Sequence, residues 1–286
     1  MDIDLSLRII YDLFNYDDPK YEANYKDSEL LIINLNSVFS TAFYEPMINE
    51  FKNEERLDFY VEKISEMFKK LLIRFSSQRI IIVYSDMKAN FIEIYKDWRK
   101  KRYQNKTKNE FAKVVFNHFI DVFNKIEEVS PTVDIIHTDE FDPALFTHFY
   151  IYMKNYDKKI FLISRDRLDF LNLEHENVLM FDGQQYYTEE SFKNHEVKKL
   201  PKINIHFLKF YYRLRGIKKY DYPGVRGYGP KRSIRYIKEN IDNLVDGYDK
   251  YCDKQLLLFY FDKYIEDFLD KEKREKLSDI INKSKF

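Results

Sequence analysis

The chain has 286 residues, of which only 6 are Gly and 7 are Pro. An average protein contains roughly 12% of the two together, so collagen-like, linker-like and Pro-rich architectures are excluded. The 48 Lys and Arg balance the 48 Asp and Glu, and the single Cys excludes an internal disulfide and a Cys-based zinc site. The longest apolar runs are far shorter than a membrane helix, and the first residues do not resemble a signal peptide. We therefore expect an intracellular protein that does not contact a membrane.

Short apolar runs alternate with helical periodicity over the first 200 residues. The runs typical of buried strands are Glu29–Asn34, Arg79–Tyr84, Val133–His137, Lys159–Ser164 and Asn177–Phe181. Helical spacing of apolar residues covers Glu55–Phe75, Asn109–Glu128 and Ala144–Lys154. This alternation predicts an α/β fold, with a mostly parallel central sheet flanked by helices on both faces.

The strand pattern stops near residue 200. The stretches that follow all have helical periodicity: Ile203–Arg215, Lys231–Asn240 and Asp249–Leu269. We therefore predict an α/β domain over residues 1–200 and a helical domain over residues 201–286.

The zero net charge conceals two basic segments. Residues 198–238 contain 13 Lys or Arg and one acid, a net charge of +12, and residues 96–108 contain seven Lys or Arg and one acid, a net charge of +6. Tyrosines and the single Trp are interleaved with these charges. Two solvated faces are the simpler interpretation, but basic groups beside stacking rings favour nucleic-acid binding.

Four of the six glycines lie between residues 216 and 229. Gly224, Gly227 and Gly229 allow the backbone to approach a partner closely, and Pro230 suits the first turn of a helix. The N–H groups of that helix, with Lys231, Arg232 and Arg235, predict a phosphate-binding loop. Neither a Walker A loop nor a dinucleotide fingerprint fits, because Pro230 follows Gly229 and Arg occupies position 232. A plain surface turn is the alternative.

Carboxylates follow three of the predicted strands. Asp86 follows the second strand, Glu140 and Asp142 follow the third, and Asp166 follows the fourth. Acids that converge on one sheet edge repel each other unless a cation neutralises them, which predicts a Mg²⁺ or Mn²⁺ site. Such a metal activates water for attack on a phosphodiester. The alternative for each acid is a helix cap.

The order of these features resembles the flap endonuclease or 5′-nuclease family, whose catalytic part is PIN-like, and among phage members the T-even-type ribonuclease H. The matching stretches are LLIINLNS at 30–37, IIIVYSD at 80–86, YKDWR at 95–99, DEFDP at 139–143, IFLISRD at 160–166 and GIKKYDYPGVRGYGPKR at 216–232. The resemblance implies a basic helical arch at about 87–108 and a helix-hairpin-helix (H3TH) motif at 216–238. It also implies a role in viral DNA replication inside the host cell.

The resemblance also implies roles for individual residues. It makes Asn34 a neutral metal ligand beside the four acids, makes Lys96 and Arg99 catalytic, and places K⁺ at the glycine motif. The DNA-binding residues that it implies are Tyr95, Lys100, Lys101, Arg102, Gly224, Gly227, Gly229, Lys231, Arg232 and Arg235. The substrates that it implies are branched, flapped or single-stranded DNA and RNA–DNA hybrids.

Several positions depart from the family pattern. Asn34 and Leu168 stand where the family has acids, with Asp169 one residue late, and Ile217 and Tyr220 replace both acids of a Gly-Asp-x-x-Asp motif. One metal site is then expected to survive in part and the second to be lost. Two hypotheses stay open: a weakened metal-dependent nuclease, and a non-catalytic DNA-binding accessory of replication or transcription. A toxin-type PIN ribonuclease is less favoured, because it needs neither the arch nor the glycine motif.

Overall fold

The computed structural model describes residues 30–39, 62, 65–66, 68–69, 79–85, 106–138, 142–154, 157–183, 185–193, 201–216, 224–240 and 271–284. The predicted helix Asp249–Leu269 and most of the predicted arch lie outside these ranges.

A six-stranded sheet forms the centre of the fold. Its strands are β1 (Leu30–Asn34), β2 (Arg79–Tyr84), β3 (Val133–His137), β4 (Ile160–Ile163), β5 (Val178–Phe181) and β6 (Tyr186–Tyr187). They lie in the order β3-β2-β1-β4-β5-β6. All neighbours are parallel except the last pair, β5 and β6. The prediction of an α/β fold with a mostly parallel sheet is confirmed.

The helices cover the sheet and continue beyond it. Those whose two ends lie in the described ranges are α1 (Lys106–Val129), α2 (Pro143–Lys154), α3 (Glu189–Lys193), α4 (Leu208–Arg215), α5 (Pro230–Glu239) and α6 (Lys271–Lys283), with 3₁₀ turns at Asp169–Glu174 and Ile205–Phe207. No described helix is long and apolar enough to cross a membrane.

The two faces of the sheet belong to two cores. Successive side chains of β1 alternate between them, so that Leu31 packs with Phe119 and Phe123 of α1, whereas Ile32 packs with α2 and the later helices. This is why every residue of β1 is apolar until Asn34.

Residues on both sides of position 200 contribute to the second core. Leu208 and Leu214 of α4, Ile237 of α5 and Ile281 of α6 pack in the same cluster as Ile32. Just after α6, the Ser284 hydroxyl donates a hydrogen bond of 2.7 Å to Asp134 of the edge strand β3. The domain division at residue 200 stays a prediction.

Candidate active site

The ends of β1 and β4 lie side by side, because parallel neighbours terminate at the same edge of the sheet. Asn34 is the last residue of β1, and its Nδ2 donates a hydrogen bond of 2.8 Å to Asp169. The same carboxylate oxygen accepts a hydrogen bond from Ser164, which follows β4. Asn34 also accepts the Ser37 N–H at 3.1 Å through Oδ1. Both polar ends of the Asn34 side chain are therefore engaged inside the protein.

Two predicted acids lie at this edge and are nearly inaccessible to solvent. Asp142 is 6% exposed and Asp166 is 5% exposed. Asp142 accepts the Ala144 N–H at 2.9 Å, at the start of α2, and Asp166 accepts the Leu168 N–H at 3.0 Å. Each carboxylate is therefore held by a backbone donor two residues further along the chain, as helix and turn caps are.

Asp169 lies at the centre of this cluster, with no exposed surface. The pKa of its carboxyl group is raised from 3.8 to about 8, mainly by burial. The charge of Asp166, and to a smaller extent that of Asp142, adds to this increase, whereas the hydrogen bonds from Ser164 and Asn34 oppose it. Asp142 and Asp166 are thus close enough to Asp169 for their carboxylates to disfavour a negative charge on it.

Asp169 is the site residue that sequence reasoning missed, because it falls one residue after the acid position of the family pattern. The 3₁₀ turn begins at Asp169, and Leu168 before it is a core residue. Asp166 lies just before this turn, three residues ahead of Asp169. The Asp166-x-x-Asp169 spacing was the signal that could have revealed the pair.

The predicted metal-ligand set lies partly inside the described ranges. Asn34, Asp142 and Asp166 are brought to one edge, whereas Asp86 and Glu140 lie outside the described ranges. Among described residues, no three His, Cys, Asp or Glu side chains are arranged to hold a metal ion. The excess negative charge around Asp169 nevertheless suits a divalent cation.

The glycine loop folds back on the end of α4. Gly224 has a φ of +63°, and a Cβ at this position would lie 2.3 Å from the backbone nitrogen of Gly216. The Val225 N–H bonds to the Leu214 carbonyl at 2.9 Å. Only glycine fits such a contact, so the close approach predicted from the sequence is used here within the chain itself.

The end of this loop leads into α5, which presents a basic face. Gly229 precedes α5, and Pro230 occupies its first turn, as predicted. The side chains of Lys231, Arg232 and Arg235 are exposed. The Arg232 guanidinium lies 4.9 Å from the centre of the Tyr228 ring.

The remaining predicted DNA contacts stay predictions. Residues 217–223 lie outside the described ranges, and so do the arch residues Tyr95, Lys96, Arg99, Lys100, Lys101 and Arg102. The H3TH assignment and the arch are therefore carried by the sequence.

These elements define the fold of the flap endonuclease or 5′-nuclease family. The chain is similar over 88% of its length to the bacteriophage T5 flap endonuclease in a pseudo-enzyme-product complex with DNA and metal ions, with a TM-score of 0.61, 17% identity and 96% of that chain covered. The T5 protein co-crystallised with metal ions gives a TM-score of 0.58 at 19% identity, covering 88% of this chain and 97% of that chain. The T5 5′-exonuclease with bound zinc gives a TM-score of 0.58 at 16% identity, with the same shares covered.

No protein-family model and no curated protein sequence matches the chain. The structural likeness establishes the fold, and the particular resemblance to a T-even-type ribonuclease H stays a prediction.

Proposed function

We propose that this chain is a structure-specific 5′-nuclease that binds branched, flapped or single-stranded DNA and hydrolyses its phosphodiester backbone during viral DNA replication. The observation that carries the proposal is the buried acid cluster Asp142, Asp166 and Asp169 at the carboxyl edge of a 5′-nuclease-type sheet. Mutually repelling buried acids are costly to a fold and are typical of functional sites. RNA–DNA hybrids are further candidate substrates.

A divalent metal fits the acid cluster because a cation would relieve the repulsion there. The residues that would hold it are Asp86, Glu140, Asp142 and Asp166, with Asn34 as a neutral neighbour. When bound, Mg²⁺ or Mn²⁺ would activate a water molecule for attack on phosphorus. Because Asn34 already donates to Asp169 and accepts from Ser37, we expect fewer protein ligands than in a full two-metal site. The activity should therefore be weak.

The chain's own residues position the substrate and the acids. Backbone N–H groups fix Asp142 and Asp166, so these carboxylates need no rearrangement when DNA arrives. In the overall reaction, water adds to phosphorus and the bond to one ester oxygen breaks, which leaves a phosphate monoester and a hydroxyl group. Lys96 and Arg99 would stabilise the negative charge at phosphorus.

The basic face of α5 gives the DNA backbone a binding surface without reading bases. Lys231, Arg232 and Arg235 are exposed together beside the glycine loop, at the start of a helix, where backbone N–H groups favour a phosphate. K⁺ at the glycine motif belongs to the same proposal.

Cleavage assays on branched DNA test the proposal. The full chain should cut a 5′-flap substrate in Mg²⁺ or Mn²⁺, and should cut a matched 3′-flap substrate much more slowly. Chelation should stop the reaction. Absence of cleavage of flap, nicked and single-stranded DNA in both metals would contradict nuclease activity.

A second candidate is a non-catalytic relative that binds branched DNA as an accessory protein. Asn34 favours it, because an amide at the end of β1 neutralises one position of the cluster. This candidate predicts salt-dependent flap binding that Asp166→Asn leaves intact and Lys231→Ala weakens. Binding that required both divalent metal and Asp166 would rule it out.

A further inference from the structure

A buried tyrosine joins α4 to the loop that carries Asp166. Tyr212 is 3% exposed, and its hydroxyl donates a hydrogen bond of 3.1 Å to the carbonyl oxygen of Arg167. Arg167 is the residue directly after Asp166. The end of α4, including Arg215, is thereby held next to the acid cluster.

Two arginine charges and the Asp166 carboxylate act on this buried hydroxyl. Burial raises the pKa of the Tyr212 phenol, the positive charges of Arg167 and Arg215 act in the opposite direction, and Asp166 adds to the increase. Arg167 follows Asp166 in the chain, and Arg215 ends the helix that the Tyr212 hydroxyl ties to Arg167, so both arginines belong to the two segments that this hydrogen bond joins.

Both arginines are half-buried. In the part of the chain that the structure describes, neither guanidinium forms a salt bridge or a hydrogen bond, and the Arg215 guanidinium lies 5.6 Å from the centre of the Tyr211 ring. Arg165, on the other side of Asp166, differs, because its Nε donates to the Asp182 carbonyl at 2.5 Å. A partly desolvated cation without an anionic partner is costly, which favours a ligand at Arg167 and Arg215.

The neighbourhood of the pair indicates which anion would bind. The backbone of Arg215 and Gly216 lies against Gly224 of the glycine loop, which leads into the basic face of α5. Arg215 therefore adjoins the loop that leads to the exposed charges of α5, at the end of the helix that Tyr212 ties to Arg167. An anion placed here next to carboxylates must itself be strongly attracted to arginine, as a phosphodiester is through the planar guanidinium fork.

We propose that Arg167 and Arg215 form a phosphate subsite that holds the nucleic-acid backbone beside Asp166. The inference rests on the proposed DNA-binding function and deepens it. The subsite would supply fixed positive charge next to the acids. It would thus position the strand in a centre where neutral residues replace several expected carboxylates.

Equilibrium binding of a labelled 5′-flap DNA to the full chain, followed over a salt series, tests the subsite. Arg167→Gln and Arg215→Gln should each weaken binding about tenfold and lower the salt slope by about one, and the double variant should lower it by about two. Arg167→Lys and Arg215→Lys should recover the salt slope, because they retain the charge. Arg79→Gln is the matched control, since Arg79 is exposed at the opposite end of β2.

The outcomes separate the subsite from the proposed function. If the wild type binds the DNA, and both Gln variants bind it with the same affinity and the same salt slope, the subsite alone is overturned. A wild-type chain that binds no flap or single-stranded DNA overturns both. Thermal unfolding of each variant checks that it folds. If a Gln variant does not fold, the Lys variants decide. A salt slope lower in the Lys variants than in the wild type also contradicts the subsite.

Discussion

At the scale of single residues, the acid cluster depends on how Asn34 and Ser164 satisfy Asp169. Two donors meet one carboxylate oxygen that has no contact with solvent. Hydrogen bonds favour the charged form of Asp169, but desolvation and the neighbouring acids outweigh them. In the metal-free protein, the Asp169 carboxyl group is therefore protonated near neutral pH.

This proton makes stability depend on pH. The pKa of Asp169 is about 8 in the folded state, against an ordinary value of 3.8. The folded state thus binds more protons between these values, and its free energy of unfolding falls as pH rises from about 4 to 8. The slope from one such proton is at most about 1.4 kcal/mol per pH unit.

Asp169→Asn should remove this part of the pH dependence, because the amide does not titrate. Urea unfolding at pH 5 and pH 8, with a chelator present, measures it. We expect the wild type to lose more stability between the two pH values than the variant does. An equal loss in both proteins would show that Asp169 is not protonated in the fold.

Asn34→Asp should restore the acid expected at the end of β1. Without metal it should destabilise the fold by about 1–3 kcal/mol, because it removes a donor to Asp169 and adds a negative charge. Mn²⁺ should then raise the unfolding temperature of the variant more than that of the wild type.

Asn204→Asp is the control for this substitution, since Asn204 caps the 3₁₀ turn at Ile205–Phe207 through the His206 N–H, a role that Asp fills equally well. Equal Mn²⁺ responses in the wild type and Asn34→Asp would argue against a metal centre at this edge.

At the scale of elements, the glycine loop is shaped by its contact with α4. Gly224 combines a positive φ with a backbone contact that leaves no room for Cβ, whereas a Cβ added at Gly229 would have nothing within 4 Å. The two glycines therefore differ in role, although they are five residues apart in one motif. Gly224 sets the fold of the loop, and Gly229 is the N-cap residue of α5.

Gly224→Ala should cost at least about 1–3 kcal/mol of stability through backbone strain alone, and the close contact with Gly216 adds to this. Gly229→Ala should cost less than about 1 kcal/mol. Chemical denaturation of both variants measures the difference. Similar losses in both would mean that the loop does not hold this conformation in solution.

Helix α1 shows which elements a sequence predicts well. Its buried stripe, which includes Val115, Phe119, Val122 and Phe123, follows the predicted helical spacing. The two-residue strand β6 was not predicted, because its pairing with β5 depends on the turn after Asp182 and not on an apolar run.

At the scale of the whole molecule, five strands could be predicted because a parallel sheet covered on both faces demands continuous apolar runs. The strand order could not be read from those runs, since any apolar strand fits any central position. The burial of Asp169 was hidden for a related reason. It depends on a 3₁₀ turn that packs Leu168 into the core and turns the next residue towards Asn34.

The proposed nuclease has two functional parts, an acid cluster for hydrolysis and a basic surface for DNA binding. Asp166 belongs to the first, next to Asp169, and the exposed side chains of α5 belong to the second. If the two are separate parts of one nuclease, a neutral residue at position 166 should abolish cutting while binding persists.

The most direct test is the single-turnover rate of 5′-flap cleavage in Mn²⁺ and Mg²⁺, measured for the wild type and Asp166→Asn at enzyme concentrations that saturate the DNA. We expect metal-dependent cutting by the wild type, and a rate at least about 100-fold lower in a variant that still binds the flap. A variant that cuts as fast as the wild type, or a wild type that binds the flap and never cuts it, would contradict a nuclease centred on Asp166.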